Sequence, residues 1–510
     1  MEHPDLAQLA GAAGAVGAAL VLVGRARAGL LLGLVVLALA EVGLALSLGG
    51  GVLDRLTTAG GAAAGSVGLL AVVAGAGLMV RWPAAVPVAV LAAAPFRPPL
   101  DFSPSNRFLV SVAQDGQLGR LLPLYFVLLT AAAALAWRLL RGERPRPLPP
   151  LIAYPSAAFF AFASLSLVWA NDLEAGANLL LFFTLPFCVL LAVVSRAAFP
   201  DGVARALMIT GVALASLFAA VGLVQAAIHK IFFFAPNLEV SNANTDYFRV
   251  TSLFGDPSLY GRHVVLGLCV VLAVLASSRM DPRAGIALLV LMWAGLLFSY
   301  SQSSMAALLV VTFALAVVSG EPGVRRLVAV AAAIAVVAGL GFVAAKVVSG
   351  ESLNRATSDR LNRVEETARV VRRDPLVGVG LGGQPRASRR LAHSDRPSAN
   401  FVSHTTPLTV AAELGIAGLL LYGWLLVGGA RLLVEVTRAE RALGLALGAV
   451  FLALFVHALS YSGFLEDPIT WVVLAVGAGW LTWPRDEEHS RRRALRDGTR
   501  ARTEPAAVAP

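Results

Sequence analysis

Apolar runs of roughly 18 or more residues, the length that crosses a hydrocarbon core about 30 Å thick, recur from one end of this chain to the other. Such runs must satisfy their own backbone hydrogen bonds in lipid, which leaves helices and closed barrels as spanning units. The period-two alternation of a membrane barrel is absent. The expected fold is therefore an all-α polytopic integral membrane protein of about 12–15 transmembrane helices. Composition agrees, since 57% of the 510 residues are hydrophobic and 14% charged, against about 25% charged in an average soluble protein.

The spans read as 8–24, 28–48, 61–80, 83–96, 121–140, 151–170, 176–195, 204–228, 262–278, 284–300, 304–319, 326–346, 407–429, 443–462 and 468–484. The run 83–96 is short and carries Pro83 and Pro87, which suits a re-entrant segment. Residues 1–485 thus form one polytopic domain. Residues 486–510, charged and poor in large apolar side chains, read as a disordered basic cytoplasmic tail. Met1-Glu2-His3-Pro4-Asp5 lacks the basic start of a cleavable signal peptide. Cys188 and Cys269 lie inside apolar runs without ligand-like spacing, which argues against disulfide or zinc frameworks.

A net charge of +10 would suggest nucleic acid as partner for a soluble protein. Here arginines sit in alternate short connections: Arg25 and Arg27, Arg138 to Arg146, Arg196 and Arg205, Arg279 and Arg283, Arg431 to Arg441. The positive-inside rule makes that side cytoplasmic and leaves no nucleic-acid partner to invoke. The connections 229–261 and 347–406 then face outward, as does the N-terminus.

The outer loop 347–406 holds ten arginines against six acids, a net +4 on the side where short loops avoid it. Long loops translocate largely regardless of charge, which is one reading. The other is a site for a phosphate-bearing substrate, because the planar guanidinium fork binds phosphate oxygens bidentately. Ser358 or Asp359 can cap a helix running to Arg373, with Leu361, Val364, Ala368 and Val371 as its apolar stripe. Arg360 and Arg363 sit one turn apart near its start. Asp374-Pro375 ends that helix, and the glycines of 378–383 allow tight turns. His404 precedes a span whose first turn suits Pro407, with Ser403 or Thr405 as cap. A histidine there is either a structural hydrogen-bonding group or a general base. In the stretch from His229 to Arg262, Arg249 and Arg262 face either an anionic ligand or lipid headgroups. Ser299 to Ser304 form a polar corner between two spans.

Taken together these stretches resemble the O-antigen ligase / O-antigen polymerase superfamily of bacterial membrane glycosyltransferases. The ligases carry His, then Asn, Ser or Gln, nine residues, then Gly-x-x-Gly. Here stand His404, Thr405, nine residues from Thr406 to Leu414, and Gly415-Ile416-Ala417-Gly418. Ser358-x-Arg360 followed by Asp374-Pro375-Leu376-x-Gly378-Val379-Gly380 is similar to the family segment before that histidine. Arg249 with Phe254-Gly255-Asp256-Pro257-Ser258 resembles its Arg…Gly-x-Phe-x-Asn/Asp-Pro-Asn segment. One departure matters: where the family shows Ser-Arg-Gly, this chain has Ser301-Gln302-Ser303, and Arg262 is a candidate for the missing charge.

The resemblance implies a GT-C-like helical membrane fold and a donor glycan on a polyprenyl (undecaprenyl-type) diphosphate. It also implies a glycan or glycolipid acceptor, and transfer at the outer face of the cytoplasmic membrane without metal or cofactor. It makes His404 the base and Arg360 the partner of the departing diphosphate, with Arg249, Arg262, Gln302 and Arg363 at the substrate. The competing readings are a flippase or transporter of lipid-linked glycan, for which Glu41 is the main intramembrane charge, and an inactive relative serving as a scaffold.

Overall fold

A computed structural model describes the chain except residues 2, 50–58, 97–120, 233–235, 246, 320–325, 327–359, 462 and 485–510. The expected span 326–346, apart from Arg326, the expected caps Ser358 and Asp359, and the basic tail lie outside the described residues. The described residues form helices and no strand.

Helices α1 (Pro4–Val23) and α2 (Arg27–Leu48) make an antiparallel pair. They are followed by α3 (Ala59–Arg81), α4 (Ala85–Ala93), α5 (Leu122–Leu140) and α6 (Pro150–Leu165). The next span is α7 (Leu173–Leu179) and α8 (Leu185–Ser195), joined by one π turn; α9 (Val203–Ile228) and the short α10 (Pro236–Ala243) come after it. Then come α11 (Pro257–Ala276), α12 (Pro282–Leu297) and α13 (Gln302–Ser319). The long loop contributes α14 (Arg360–Arg373) and α15 (Gln384–Leu391). The chain closes on α16 (Thr406–Ala439), α17 (Arg441–Ala458) and α18 (Pro468–Thr482). Among the described residues, nine helices are long and apolar enough to cross a membrane, and four shorter apolar ones accompany them. The chain is a multi-pass membrane protein.

Local sequence explains several helix starts. Asp256-Pro257, Asp281-Pro282 and Asp467-Pro468 each put an aspartate at the cap and a proline in the first turn, where its missing N–H costs nothing. The carboxylate of Asp256 accepts from Ser258 N at 2.7 Å and Leu259 N at 3.0 Å. The remaining Asp-Pro pair of the described loop, Asp374-Pro375, ends α14 instead, as expected.

Two span expectations need correction. The run 83–96 yields only the nine-residue helix α4. The run 407–429 continues as helix to Ala439, because Leu432, Leu433 and Val436 keep an apolar face buried beyond Arg431.

The helix connections gather at two ends. At one, Arg146 donates to Arg196 O and Ala197 O, Arg196 to Val21 O, and Arg279 pairs with Glu440 at 3.7 Å. At the other, the N-terminal amine pairs with Glu174 at 3.4 Å, His3 N donates to Ser47 O, and Thr405 Oγ1 to Leu459 O. The first end collects arginine-bearing connections. The second holds the long loop. Between them, α11 is the most enclosed of the long helices and α9 the least.

Candidate functional site

The site end is organised by a break in α16. Gly415 has φ 65° and ψ −164°, a conformation outside any helix, so α16 is two helices meeting there. In an unbroken helix Ile416 N–H would reach Ala412 O, and Ala417 N–H would reach Glu413 O. The loop segment 375–380 takes up all four groups. Val379 N donates to Ala412 O at 3.0 Å and Gly380 N to Glu413 O at 2.8 Å, while Ile416 N donates to Pro375 O at 2.8 Å and Ala417 N to Leu376 O at 3.2 Å. Two intrahelical bonds become four to the loop, which meets the demand that buried backbone groups be paired.

Glycine is required for this approach. A β-carbon on Gly378 would lie 2.4 Å from the backbone of Glu413, and one on Gly380 would lie 2.4 Å from Ala170. The same segment docks on the other side through Asn171 N to Val379 O, Trp169 Nε1 to Val377 O and Leu381 N to Ser166 Oγ. Arg386 reaches Asp172, the cap of α7, at 3.6 Å. The loop is thus pinned between α6, α7 and α16.

His404 lies just before α16 and is half-buried. Thr405 holds the cap position but its hydroxyl turns to Leu459 O at 3.2 Å, and Thr406 Oγ1 accepts from Phe464 N at 3.5 Å. On the other side of His404, Ser403 N donates to Gln384 Oε1 at 3.0 Å. The Gln384 amide nitrogen lies 2.9 Å from Phe401 O, 2.8 Å from Ser388 Oγ and 3.2 Å from Thr367 Oγ1.

Helix α14 packs on this assembly. Its buried face is Thr367 and Val370, resting on Val379, Ala387 and Ala412. The expected stripe is rotated: Val364 is exposed, because the small core beneath α14 is set by the docked hinge. Arg363 pairs with Glu366 at 3.4 Å and its guanidinium carbon lies 5.6 Å from the Phe401 ring centre. Arg360 is the first residue of α14, one turn earlier; its side chain lies outside the described residues.

Residues 287–423 match the family model described as O-antigen ligase. This stretch supports the resemblance to the O-antigen ligase / O-antigen polymerase superfamily. No curated protein matches the chain. The matched segment starts within α12 and ends within α16. It takes in Gln302, Arg360, Arg363, His404, Gly415 and Gly418, together with Gln384.

Beyond this segment, α17 and the 459–467 connection complete the wall under His404. Arg262 is buried and pairs with the fully buried Asp467 at 2.8 Å. The same aspartate accepts from Ile469 N at 2.9 Å, capping α18. Ser303 Oγ lies 3.1 Å from His457 Nε2 and 3.2 Å from Ser301 Oγ, tying α13 to α17. Two carboxylates, Glu413 and Glu466, line one small cavity with Thr406, Thr409 and Trp471. The Glu413 carboxylate lies near the backbone N–H groups of Gly382 and Gln384. Burial pushes the Glu466 carboxyl above its ordinary range and Asp467 adds to this, while a backbone N–H and Arg262 act the other way. Among the described residues, no three His, Cys, Asp or Glu side chains converge as a metal site requires.

Arg249 stands at the neighbouring corner. Its Nε donates to Ser299 O at 3.2 Å, and the Asn242 side chain bonds both its N–H and its carbonyl, at 3.0 and 2.9 Å. Gln302 is exposed at the start of α13, beside that corner. A series of neighbouring segments links several of the predicted positions, though neither Arg360 nor Gln302 is part of it. It runs from Arg363 through Phe401 to the His404 segment, through 459–467 to Arg262, and through His457, Ser303 and Ser301 to the corner that holds Arg249. Sequence reading missed Gln384, Asn242, His457, Glu413, Glu466 and Asp467. The only signal for any of them was a polar residue inside an apolar run, at Glu413 and His457.

Proposed function

We propose that the protein transfers or polymerises a glycan from a polyprenyl-diphosphate-linked donor onto an acceptor hydroxyl. The observation that supports this most is the docking of the 375–380 hinge into the break at Gly415. It fixes the loop that carries Arg360 and Arg363 against the helix that starts two residues after His404.

In this reading His404 takes the proton of the acceptor hydroxyl as its oxygen attacks the anomeric carbon. The bond from that carbon to the phosphate oxygen breaks, and the electron pair leaves with the polyprenyl diphosphate. Arg360, at the N-terminus of α14 where the helix itself favours anions, stabilises the charge that grows on the leaving group. Arg363 and Arg249 contact donor oxygens, and Gln302 supplies a neutral hydrogen-bonding edge. The charge of Arg262 is matched by Asp467, so we assign it to holding the 459–467 connection in place. The positive-inside rule puts the arginine-bearing end in the cytoplasm, with the C-terminus, and the site on the outer face of the cytoplasmic membrane.

The test is glycan transfer by purified protein from a polyprenyl-diphosphate donor, comparing wild type with His404→Ala and Arg360→Ala. Loss of about 100-fold or more in kcat is expected for His404→Ala. Full transfer by that variant would refute the mechanism.

A further inference from the structure

We propose that Gln384 is the positioning residue for His404, an assignment that rests on the transfer reading above. Its side chain is 1% exposed, and an amide buried this deeply must place both ends in hydrogen bonds. It does so with four partners on three segments of the chain. The amide nitrogen faces Thr367 of α14, Ser388 of α15 and the carbonyl of Phe401; the amide oxygen accepts from Ser403 N. The backbone N–H of Gln384 lies near the carboxylate of Glu413, next to the break in α16.

Two of these bonds bracket Val402 and end one residue before His404. The segment 401–403 has no helix or strand ladder to hold it beyond the 3₁₀ turn that ends at Phe401, and fixing a free residue costs about 1–2 kcal/mol of conformational entropy. The Gln384 amide supplies that restraint. Because it also meets Thr367, the same side chain sets where α14, with Arg360 and Arg363, stands relative to the imidazole. A glutamine in this place, unlike a charged residue, both donates and accepts without a desolvated charge.

The experiment uses full-length protein in lipid nanodiscs and the variants Gln384→Met, Gln384→Glu and His404→Ala. Methionine is close in volume, apolar and suited to a buried position, so helical content and monodispersity should match wild type. Diethylpyrocarbonate labelling, read by peptide mass spectrometry, reports the accessibility of His404 without any substrate. Gln384→Met should raise the His404 labelling rate severalfold and leave exposed His229 unchanged. Its kcat for transfer should fall at least about tenfold, the scale of a sub-ångström misplacement, with the donor KM nearly constant. Gln384→Glu keeps the acceptor for Ser403 N–H and regains the donor only when protonated, so its deficit relative to wild type should shrink toward acid pH. Wild-type labelling and wild-type kcat in Gln384→Met would overturn the assignment. Unchanged transfer by His404→Ala would instead sink the transfer mechanism, while the labelling result would still report on the Gln384 restraint.

Discussion

The carbonyl of Leu376 fills the space that any side chain on Gly415 would need: a β-carbon there would lie 2.3 Å from it. The backbone of Gly415, at φ 65°, is also one that other residues rarely adopt.

Gly415→Ala is expected to force the hinge out of α16, at a cost of about 1–3 kcal/mol from backbone strain alone. Limited proteolysis should then cut at the arginines of α14 and α15 faster than in wild type, and transfer should be lost. Gly423→Ala is the control, because its added methyl meets nothing within 4 Å and alanine favours helix. Equal protease resistance in the two variants would contradict the account of the break.

The Arg262–Asp467 pair makes a second prediction. Asp467→Asn keeps an oxygen to cap α18 but leaves a buried arginine unmatched, at about 3–5 kcal/mol. Adding Arg262→Met should restore most of that loss, so the double variant should unfold at a higher temperature than Asp467→Asn alone. A double-mutant cycle on thermal unfolding measures the coupling. Additive effects would mean the two charges act independently.

A pH effect follows from Glu466. Its folded-state carboxyl is held above the ordinary value by burial, so the unfolded chain ionises first as pH rises. Between the unfolded and folded pKa values the unfolded state binds fewer protons, and stability falls with rising pH. Glu466→Gln removes that dependence. The variant should gain roughly 2 °C in midpoint at pH 8 and nothing at pH 4. A gain of equal size at both values would show that ionisation is not the cause.

Asn242 clamps the backbone of Arg249 on both sides. Asn242→Ala should leave the helices intact and raise the donor KM severalfold, in the direction of Arg249→Ala but less far. Steady-state kinetics on both variants checks the order.

Local rules were legible in the sequence because they depend on neighbours. The apolar spans, the stop after Arg373 and the spacing from His404 to Gly418 are of this kind. What could not be read was partnership at a distance. Arg262 looked like a free cation beside a membrane, since nothing around it named Asp467 as its mate. The stripe on α14 was misplaced because its packing surface is made by Val379 and Ala412, which come together only after the hinge has docked. Gln384 had no visible reason to matter, as its four partners lie on three different segments. The length of α16 was underestimated because its charged end still buries Val436.

The exchange of hydrogen bonds at Gly415 also bears on how the chain is made. Residues 375–380 leave the ribosome before α16 does, yet they have no seat until α16 is in the bilayer. The four bonds across α16 join parts of the chain made at different times, and they hold the segment before α16 and the loop carrying α14 on one frame.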